Sequence, residues 1–276
     1  MISVIIPTCK RPDLLALCLD ALAPDKQVGM KLSLAGSAAD SATYEVIVTD
    51  DGAAQDSACG LDSAYPWARF IAGPGRGPAA NRNNGVRYAR GEFIAFLDDD
   101  CIPASDWLSG FRHSPPDIEA LEGKTVADRP KARVDEESPV NETGGYLWTC
   151  NMMIRRAAFQ QLNGFDELFP YAAMEDVDFR VRFLDAGMTF RFAPEAVVTH
   201  PWRRGNSSAH EKRLLSHYHF WRQHPELRPA NMGVFFFKQL AGIWGRDYLP
   251  SLIKFRGQGT VYCLVHTWVL LKATLG

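Results

Sequence analysis

The sequence is most informative at Phe96-Leu97-Asp98-Asp99-Asp100-Cys101-Ile102-Pro103, where an apolar run ends in three consecutive acids. Residues 92–97 rise in hydrophobicity, which is typical of a buried strand. Neighbouring carboxylates at the end of such a strand raise the cost of each other's ionisation, and a divalent cation would remove that cost. Ligands bind at the carboxyl ends of strands in open α/β sheets. We therefore expect a metal site here rather than the alternative, a solvated acidic turn.

Length and composition are those of an ordinary globular protein. The chain has 276 residues, 46% of them apolar and 22% charged, which suits one large α/β domain with an appendage or two small domains. The net charge of −2 predicts no global field that would recruit nucleic acid or an acidic membrane. Six cysteines without C-x-x-C spacing, and a strand-like run from Ser3 that leaves no room for a signal peptide, predict a cytoplasmic protein.

Apolar runs and helical periodicity alternate through the first half of the chain. We predict strands at residues 3–8, 44–52, 68–71 and 92–97, and helices at 13–22 and 79–89. This order predicts a doubly wound, mostly parallel sheet. Residues 122–145 are charged without clear periodicity and are expected to form a mobile loop with room for one edge strand. Further predictions are a strand at 146–154, helices at 156–162 and 174–186, and short strands at 188–193 and 196–199.

Acidic and basic residues follow two of these strands. Asp50 and Asp51 lie at the end of the strand predicted at 44–52, where a carboxylate could accept hydrogen bonds from a ribose hydroxyl or a uracil-type N–H. Alone, the motif would be an Asp-Gly turn. The helix at 79–89 opens with small residues and carries Arg82, whose guanidinium could face a phosphate or simply lie on the surface.

Two later segments contain further candidates. Glu175 and Asp176 begin a helix and point in different directions, so one of them could face a cleft as a general base. Acids in a first helical turn also favour the helix dipole, which would explain them without a catalytic role. His200 directly follows a strand and could complete a metal shell, although a lone histidine is more often structural.

Seven motifs in order resemble the family 2 inverting glycosyltransferases of the GT-A fold, over roughly residues 1–205. They are S-V-I-I-P-T at 3–8, V-T-D-D-G at 48–52, G-P-A-A-N-R-N-N-G at 77–85, G-E-F-I-A-F-L-D-D-D at 91–100, N-G-F-D-E at 163–167, E-D-V-D at 175–178 and T-H at 199–200. No single motif is decisive, but their combination is highly specific. The resemblance implies a Rossmann-like α/β domain, with a nucleotide-sugar half at about 1–103 and an acceptor half at about 104–205.

The resemblance also implies a role for each matching residue. Residues matching the nucleotide and donor site are Pro7, Thr8, Arg11, Asp50, Asp51, Arg82, Asp98 and Asp99. The implied ligands of Mn²⁺ or Mg²⁺ are Asp100, Asp98 and His200. Asp176 matches the catalytic base, with Glu175 as a supporting acid, and Trp148 and Asn151 would lie near the acceptor.

The reaction that the resemblance implies is a single displacement. The metal would neutralise the diphosphate leaving group of a nucleotide-diphosphate sugar, with a UDP-sugar as the favoured donor. Asp176 would take the proton of an acceptor hydroxyl, and the configuration at the anomeric carbon would invert. The acceptor would be a glycan, a lipid-linked glycan or a small molecule. The alternatives are an inactive nucleotide-binding scaffold in glycan assembly and a nucleotidyltransferase, although residues 8–12 lack the glycines expected of the latter.

Residues 206–276 lie outside the resemblance and are expected to form a helical extension. Residues 210–222 are basic and aromatic, and apolar residues between 236 and 244 fall at helical spacing. The apolar run at 260–271 is shorter than the ~20 residues that a membrane-spanning helix needs. These helices are expected to contact the inner face of a membrane, as a peripheral protein does, or a second subunit in a homodimer. Packing on the core is the alternative.

Overall fold

The computed structural model describes residues 1–33, 43–52, 60–113, 118–169, 171–206, 209–249 and 254–275. The chain forms two compact units. The first contains Met1–Ala127, Pro139–Leu168 and Glu175–Pro201. The second contains Asp128–Ser138, Phe169–Met174 and Trp202–Gly276.

The first unit is built on a mixed β-sheet. Its strands are β1 (Ile2–Thr8), β2 (Lys31–Leu32), β3 (Thr43–Asp50), β4 (Arg69–Ala72), β5 (Phe93–Leu97), β6 (Ile102–Pro103), β7 (Ala120–Ala127), β9 (Asn151–Arg155) and β10 (Phe190–His200). In the described residues their order is β2-β3-β1-β5-β9-β7-β10-β6, with β4 paired to β3. Most neighbouring pairs are parallel, whereas β9 runs antiparallel to β5 and β7, and β6 runs antiparallel to β10. The predicted α/β fold with a mostly parallel sheet is confirmed.

Helices cover both faces of this sheet. They are α1 (Pro12–Ala21), α2 (Leu61–Ala64), α3 (Pro78–Tyr88), α4 (Trp107–Gly110), α5 (Arg156–Gln161) and α6 (Glu175–Asp185), with a 3₁₀ turn at Phe111–His113. Alternate residues of β1 point to opposite layers: Val4 and Ile6 pack with α1, whereas Ile5 packs with the layer that contains α3, α5 and α6. The strand is therefore buried on both faces, as central strands of parallel sheets are.

The second unit is mainly helical. It contains the short strand pair β8 (Glu136–Glu137) and β11 (Arg203–Arg204), then α7 (Ala209–Gln223), a 3₁₀ turn at Pro225–Leu227, α8 (Met232–Ala241), a π-helical segment at Gly242–Tyr248 and α9 (Thr260–Leu275). Its core includes Phe236, Ile243, Cys263 and Leu270. Within the described residues, no helix has the length and apolar character to cross a membrane.

The predicted loop at residues 122–145 was wrong at its start, because β7 lies inside the sheet between β9 and β10. Charged side chains hid this strand from its sequence pattern. Glu122 is buried, and its carboxylate accepts hydrogen bonds from the backbone N–H groups of Gly145, Tyr146 (3.0 Å) and Leu147 (2.7 Å). The side-chain amide of Asn141 donates a further bond at 3.1 Å. A buried charge is tolerated where donors surround it in this way.

The two short strands predicted at 188–193 and 196–199 form one strand, β10. Its register against β7 shifts between Ala193 and Val197, so that extra residues bulge out of the ladder. Pro194 lies in this bulge, where its missing N–H costs no ladder hydrogen bond. The strand therefore continues to His200, and the bulge looks like an interruption only in the sequence.

Replacing Glu122 with Gln should lower the free energy of unfolding by about 1–3 kcal/mol, because an amide NH₂ group would face backbone N–H groups that need an acceptor. Urea unfolding measures the loss. Hydrogen exchange at Tyr146 and Leu147 should also become faster. The matched control is Glu142→Gln at an exposed position of the same connection. Equal unfolding free energies for both variants would show that the carboxylate does not hold this loop.

Candidate active site

The three acids after β5 point to three different parts of the first unit. Asp98 pairs with Arg82 of α3, Asp99 with Arg11 before α1, and Asp100 lies beside His200 at the end of β10. The carboxyl ends of β1, β5 and β10 lie at one edge of the sheet. β1 and β5 are parallel neighbours, and β10 ends at the same edge. Arg11, Arg82 and His200, three residues singled out from the sequence, are thereby brought together around the acidic triplet.

Asp99 joins the triplet to the end of β1. Its carboxylate accepts a hydrogen bond from the Thr8 hydroxyl at 2.7 Å and lies 3.0 Å from the Arg11 guanidinium. Burial raises the pKa of Asp99 to about 6, although Arg11 and Thr8 both act to lower it. Pro7, which pairs with Thr49 across β1 and β3, completes this strand end. Arg11 remains 42% exposed, so its side chain can also reach a ligand.

Arg82 connects Asp98 to the start of α6. Its guanidinium is 6% exposed and lies 2.7 Å from an Asp98 oxygen and 3.4 Å from a Glu175 oxygen. Burial works against the charge on Arg82, but Asp98 and Glu175 outweigh it and the pKa of Arg82 is raised. The surface position considered for this arginine is therefore wrong, since the side chain is an interior cation between two carboxylates.

Asp100 and His200 form a site that suits a divalent cation. The His200 Nδ1 atom lies 2.8 Å from the Pro201 carbonyl oxygen. Because a carbonyl oxygen only accepts, Nδ1 is the donor of this hydrogen bond and Nε2 is the nitrogen that can bind a metal ion. Nε2 lies 3.6 Å from an Asp100 oxygen, and both side chains are buried. Two ligands of one octahedral ion lie roughly 3 Å apart, so this separation fits a shared ion.

Cys101 is the third side chain of this cluster and was missed by the sequence reasoning. One ligand atom from each of Asp100, Cys101 and His200 lies within 4.8 Å of the others. Burial raises the pKa of the Cys101 thiol well above its usual range, so the thiol keeps its proton. Mn²⁺ and Mg²⁺ prefer oxygen and imidazole nitrogen to sulfur. Asp100 and His200 therefore offer the oxygen and nitrogen ligands that such an ion prefers. The sequence pointed to Cys101 only through its position directly after the three acids.

Asp51 closes a glycine-rich turn beside this edge. Its carboxylate accepts hydrogen bonds from the backbone N–H groups of Gly75 and Gly77, both at 2.9 Å. Gly77 has φ 90° and ψ 176° directly before α3, a conformation that a residue with a side chain rarely adopts. Asp50 accepts from Gly52 N–H at 2.8 Å, as an Asp-Gly turn would. In this structure the Asp51 carboxylate shapes the turn that precedes α3, and the Asp50 carboxylate shapes the turn that follows β3.

Glu175 and Asp176 lie at the N-terminus of α6 beside Arg82. Glu175 is buried and Asp176 half-buried, and Asp176 accepts a hydrogen bond from Val177 N–H at 2.8 Å. Burial raises the pKa of both carboxyl groups, and for Glu175 the charge of Asp176 adds to the shift. Met174, just before the helix, has φ 75°, which is costly for a residue other than glycine. A carboxyl pair with raised pKa values at a strained turn is typical of proton-transfer sites.

The two predicted acceptor residues differ in their surroundings. Asn151 is buried; its amide oxygen accepts from the Trp107 indole at 2.8 Å, and its NH₂ group donates to the carbonyls of Lys124 (2.9 Å) and Ala196 (3.0 Å). This amide holds strands together, and its acceptor role stays a prediction. Trp148 is half-buried and stacks on Tyr146, with ring centroids 4.2 Å apart.

Comparisons with known proteins find glycosyltransferases among the similar sequences. Residues 3–112 match the family model described as glycosyl transferase family 2, and residues 142–225 match glycosyl transferase family group 2. Both matches are to glycosyltransferase family models, and they support the resemblance of the chain to family 2. Over 182 residues it is 31% identical to the pre-mycofactocin glycosyltransferase of Mycobacterium tuberculosis, an alignment that covers 57% of this chain and 37% of that protein. The chain thus spans little more than a third of this relative's length.

Two solved structures share the GT-A fold with this chain. TarS 1-349 of S. aureus, solved in complex with UDP, has a TM-score of 0.53 and 21% identity, covering 78% of this chain and 64% of its own. The mannosyltransferase PcManGT of Pyrobaculum calidifontis, solved with GDP-Man and Mn²⁺, has a TM-score of 0.56 and 19% identity, covering 100% of this chain and 75% of its own. At these identities the likeness concerns the fold.

The Glu175→Gln variant should gain free energy of unfolding relative to the wild type as the pH rises from about 5 to 8. An acid with a raised pKa binds its proton more tightly in the folded state. The cost of ionising it is absent below the pKa of the unfolded chain and complete above the pKa of the folded one. Gln cannot ionise and escapes this cost, which is about 1.4 kcal/mol for each unit of pKa difference.

Urea unfolding at several pH values tests this expectation. Glu195→Gln, at an exposed position on β10, serves as the control and should show a difference from the wild type that does not change with pH. A stability difference for Glu175→Gln that stays constant or declines with rising pH would contradict the raised pKa.

Proposed function

We propose that this chain is a metal-dependent inverting glycosyltransferase that moves a sugar from a nucleotide-diphosphate donor to an acceptor hydroxyl. One observation carries the proposal: the acidic triplet contacts Arg11, Arg82 and His200 at one sheet edge, and Arg82 leads from there to Glu175. A cation site and a pair of proton-accepting groups are thus present in one unit. The similarity to family 2 models supports sugar transfer as the reaction, and the cytoplasm is its proposed location.

The proposed donor site lies at the ends of β1, β3 and β5. Arg11 is the partly exposed cation there and is positioned to meet a phosphate, while Thr8 and Asp99 hold it in place. Asp51 and Asp50 border the turn that would lie beside the base and ribose. A nucleotide donor is supported by UDP in the TarS structure and by GDP-Man in that of PcManGT. We favour a UDP-sugar, and a glycan, a lipid-linked glycan or a small molecule as the acceptor.

Asp100 and His200 would hold the metal, with Asp98 at its side. When bound, Mn²⁺ or Mg²⁺ supplies positive charge to the diphosphate leaving group. The Pro201 carbonyl fixes the His200 ring so that Nε2 faces Asp100. Arg82 holds Asp98 in position and offsets its negative charge. The Mn²⁺ present in the PcManGT structure supports a divalent ion in this role.

Asp176 is the proposed catalytic base. It is less buried than Glu175, so its carboxylate is the one of the pair that an acceptor hydroxyl can reach. Burial raises its pKa, which strengthens it as a proton acceptor near neutral pH. Glu175 holds Arg82 and remains inside the protein. Attack by the deprotonating hydroxyl on the anomeric carbon forms the new C–O bond while the bond to the diphosphate breaks, and the configuration inverts.

Replacing His200 with Ala should weaken Mn²⁺ binding at least about tenfold, because one of the two ligands is lost. Titration of Mn²⁺ followed by electron paramagnetic resonance, with UDP present, measures the affinity. His217→Ala in the second unit is the matched control, and Cys101→Ser should leave the affinity unchanged. A loss for Cys101→Ser that equals the loss for His200→Ala would assign the metal to a thiolate site instead.

Replacing Asp176 with Asn should lower transfer by about 10²–10⁴-fold, because the amide cannot take the acceptor proton. Donor binding, measured by calorimetry with UDP and Mn²⁺, should stay within about twofold of the wild type. The control is Asp185→Asn at the exposed end of the same helix. Unchanged turnover in Asp176→Asn would eliminate this residue as the base. Wild-type protein that binds UDP with Mn²⁺ but transfers no sugar would favour the scaffold alternative.

A further inference from the structure

The C-terminal part of the chain carries a large positive charge that the overall value conceals. Residues 202–276 contain eleven Lys and Arg but three Asp and Glu, a net charge of +8, whereas the whole chain has −2. The preceding 201 residues therefore carry −10. A segment with this charge attracts an anionic surface even though the protein as a whole is weakly acidic. The net charge of −2 is therefore an average that does not describe this segment.

Helix α9 presents an apolar stripe to solvent. Val261, Leu264, Trp268 and Leu271 are between 40% and 70% exposed. Their spacing of three, four and three residues places them on one side of the helix. Cys263 and Leu270 are buried in the core of the second unit, so α9 has one apolar side inside the protein and another outside. Scattered exposed apolar residues are common, but such an ordered row marks an interaction surface.

Helix α8 repeats this arrangement. Phe236 is buried in the core, whereas Phe237 is 70% exposed and Val234 is 48% exposed. These two exposed residues are three positions apart and therefore share one side of the helix. Lys238 follows Phe237 directly, and its long side chain can keep its charge in water while the ring enters an apolar layer.

Lysine and aromatic side chains are also paired on α9. The Lys272 ammonium lies 5.4 Å from the Trp268 ring centroid and 3.5 Å from the Glu211 carboxylate of α7. Tryptophan beside lysine is the combination that favours the boundary between headgroups and acyl chains. Glu211 is an acid close to this row, and it is paired with Lys272 rather than facing outward alone.

We propose that the exposed residues Val234, Phe237, Val261, Leu264, Trp268 and Leu271 form a docking surface for an anionic lipid membrane. The helices would lie in the interface plane, since none in the described part of the chain is able to span a bilayer. A second copy of the chain would bring another segment of +8 against the first, and the like charges would repel each other. Charge complementarity therefore selects an anionic lipid surface as the occupant.

Flotation with lipid vesicles tests the docking surface on the whole chain. Vesicles of phosphatidylcholine with about one third phosphatidylglycerol should bind the wild type, and pure phosphatidylcholine should bind it at least about tenfold less. Added salt should weaken the binding. The double variant Phe237→Ser with Trp268→Ser should bind the anionic vesicles at least about tenfold less than the wild type, because both anchors are lost.

A matched control replaces Leu17 and Leu168 with Ser. These residues are 56% and 73% exposed on the first unit, and the control should bind as the wild type does. Circular dichroism melting checks that each variant folds. If the serine variant at the docking surface does not fold, Lys238→Glu with Lys272→Glu keeps the apolar rows, and its binding should fall by a similar factor.

Three results would overturn the proposal. The first is absence of wild-type binding to anionic vesicles. The second is equal binding of the wild type and both docking-surface variants. The third, by analytical ultracentrifugation without lipid, is a dimer that Phe237→Ser with Trp268→Ser dissociates, which would assign the surface to a second copy. Transfer activity enters none of these measurements, so the outcome is independent of the proposed enzymatic reaction.

Discussion

Three carboxylates side by side at the end of a buried strand each need a positive or hydrogen-bonding partner, and this requirement organises the first unit. Asp98, Asp99 and Asp100 follow one another, and their side chains reach different partners, although the Arg11 guanidinium lies within 3.4 Å of both Asp99 and Asp100. Asp98 pairs with Arg82, Asp99 contacts Arg11 and Thr8, and Asp100 lies beside His200. Helix α3, the end of β1 and the end of β10 are thus all held against the end of β5. The same contacts that limit repulsion assemble the candidate site.

Arg82 extends this organisation to the candidate base. A buried guanidinium between Asp98 and Glu175 places α6 against the acidic strand end. Breaking such a pair by removing one partner typically costs ~3–5 kcal/mol, because the other charge stays buried alone. Two carboxyl groups with raised pKa values beside this arginine reduce stability near neutral pH, which fits a site kept for chemistry rather than for folding strength.

Several features of the molecule are hidden from the sequence because a local pattern or an average conceals them. β7 was missed because Glu122 made its window look polar, whereas four donors from residues 141–147 surround that carboxylate. The net charge of −2 hid a C-terminal segment of +8. The bulge in β10 divided one strand into two apparent ones. In each case the compensating partner or the continuity depends on groups distant in sequence.

The sequence by itself determined the α/β class, the strand ends that bear acids and the resemblance to family 2, because apolar alternation and turn residues are local signals and the motifs occur in order. Only the tertiary structure decided which partner each acid of the triplet takes, because residues 11, 82 and 200 are distant in sequence and approach the triplet only in the folded sheet. It also decided that Asn151 holds strands together and that Cys101 lies beside Asp100 and His200. The physical reason is that the ionisation, burial and hydrogen bonding of a side chain depend on its neighbours in space.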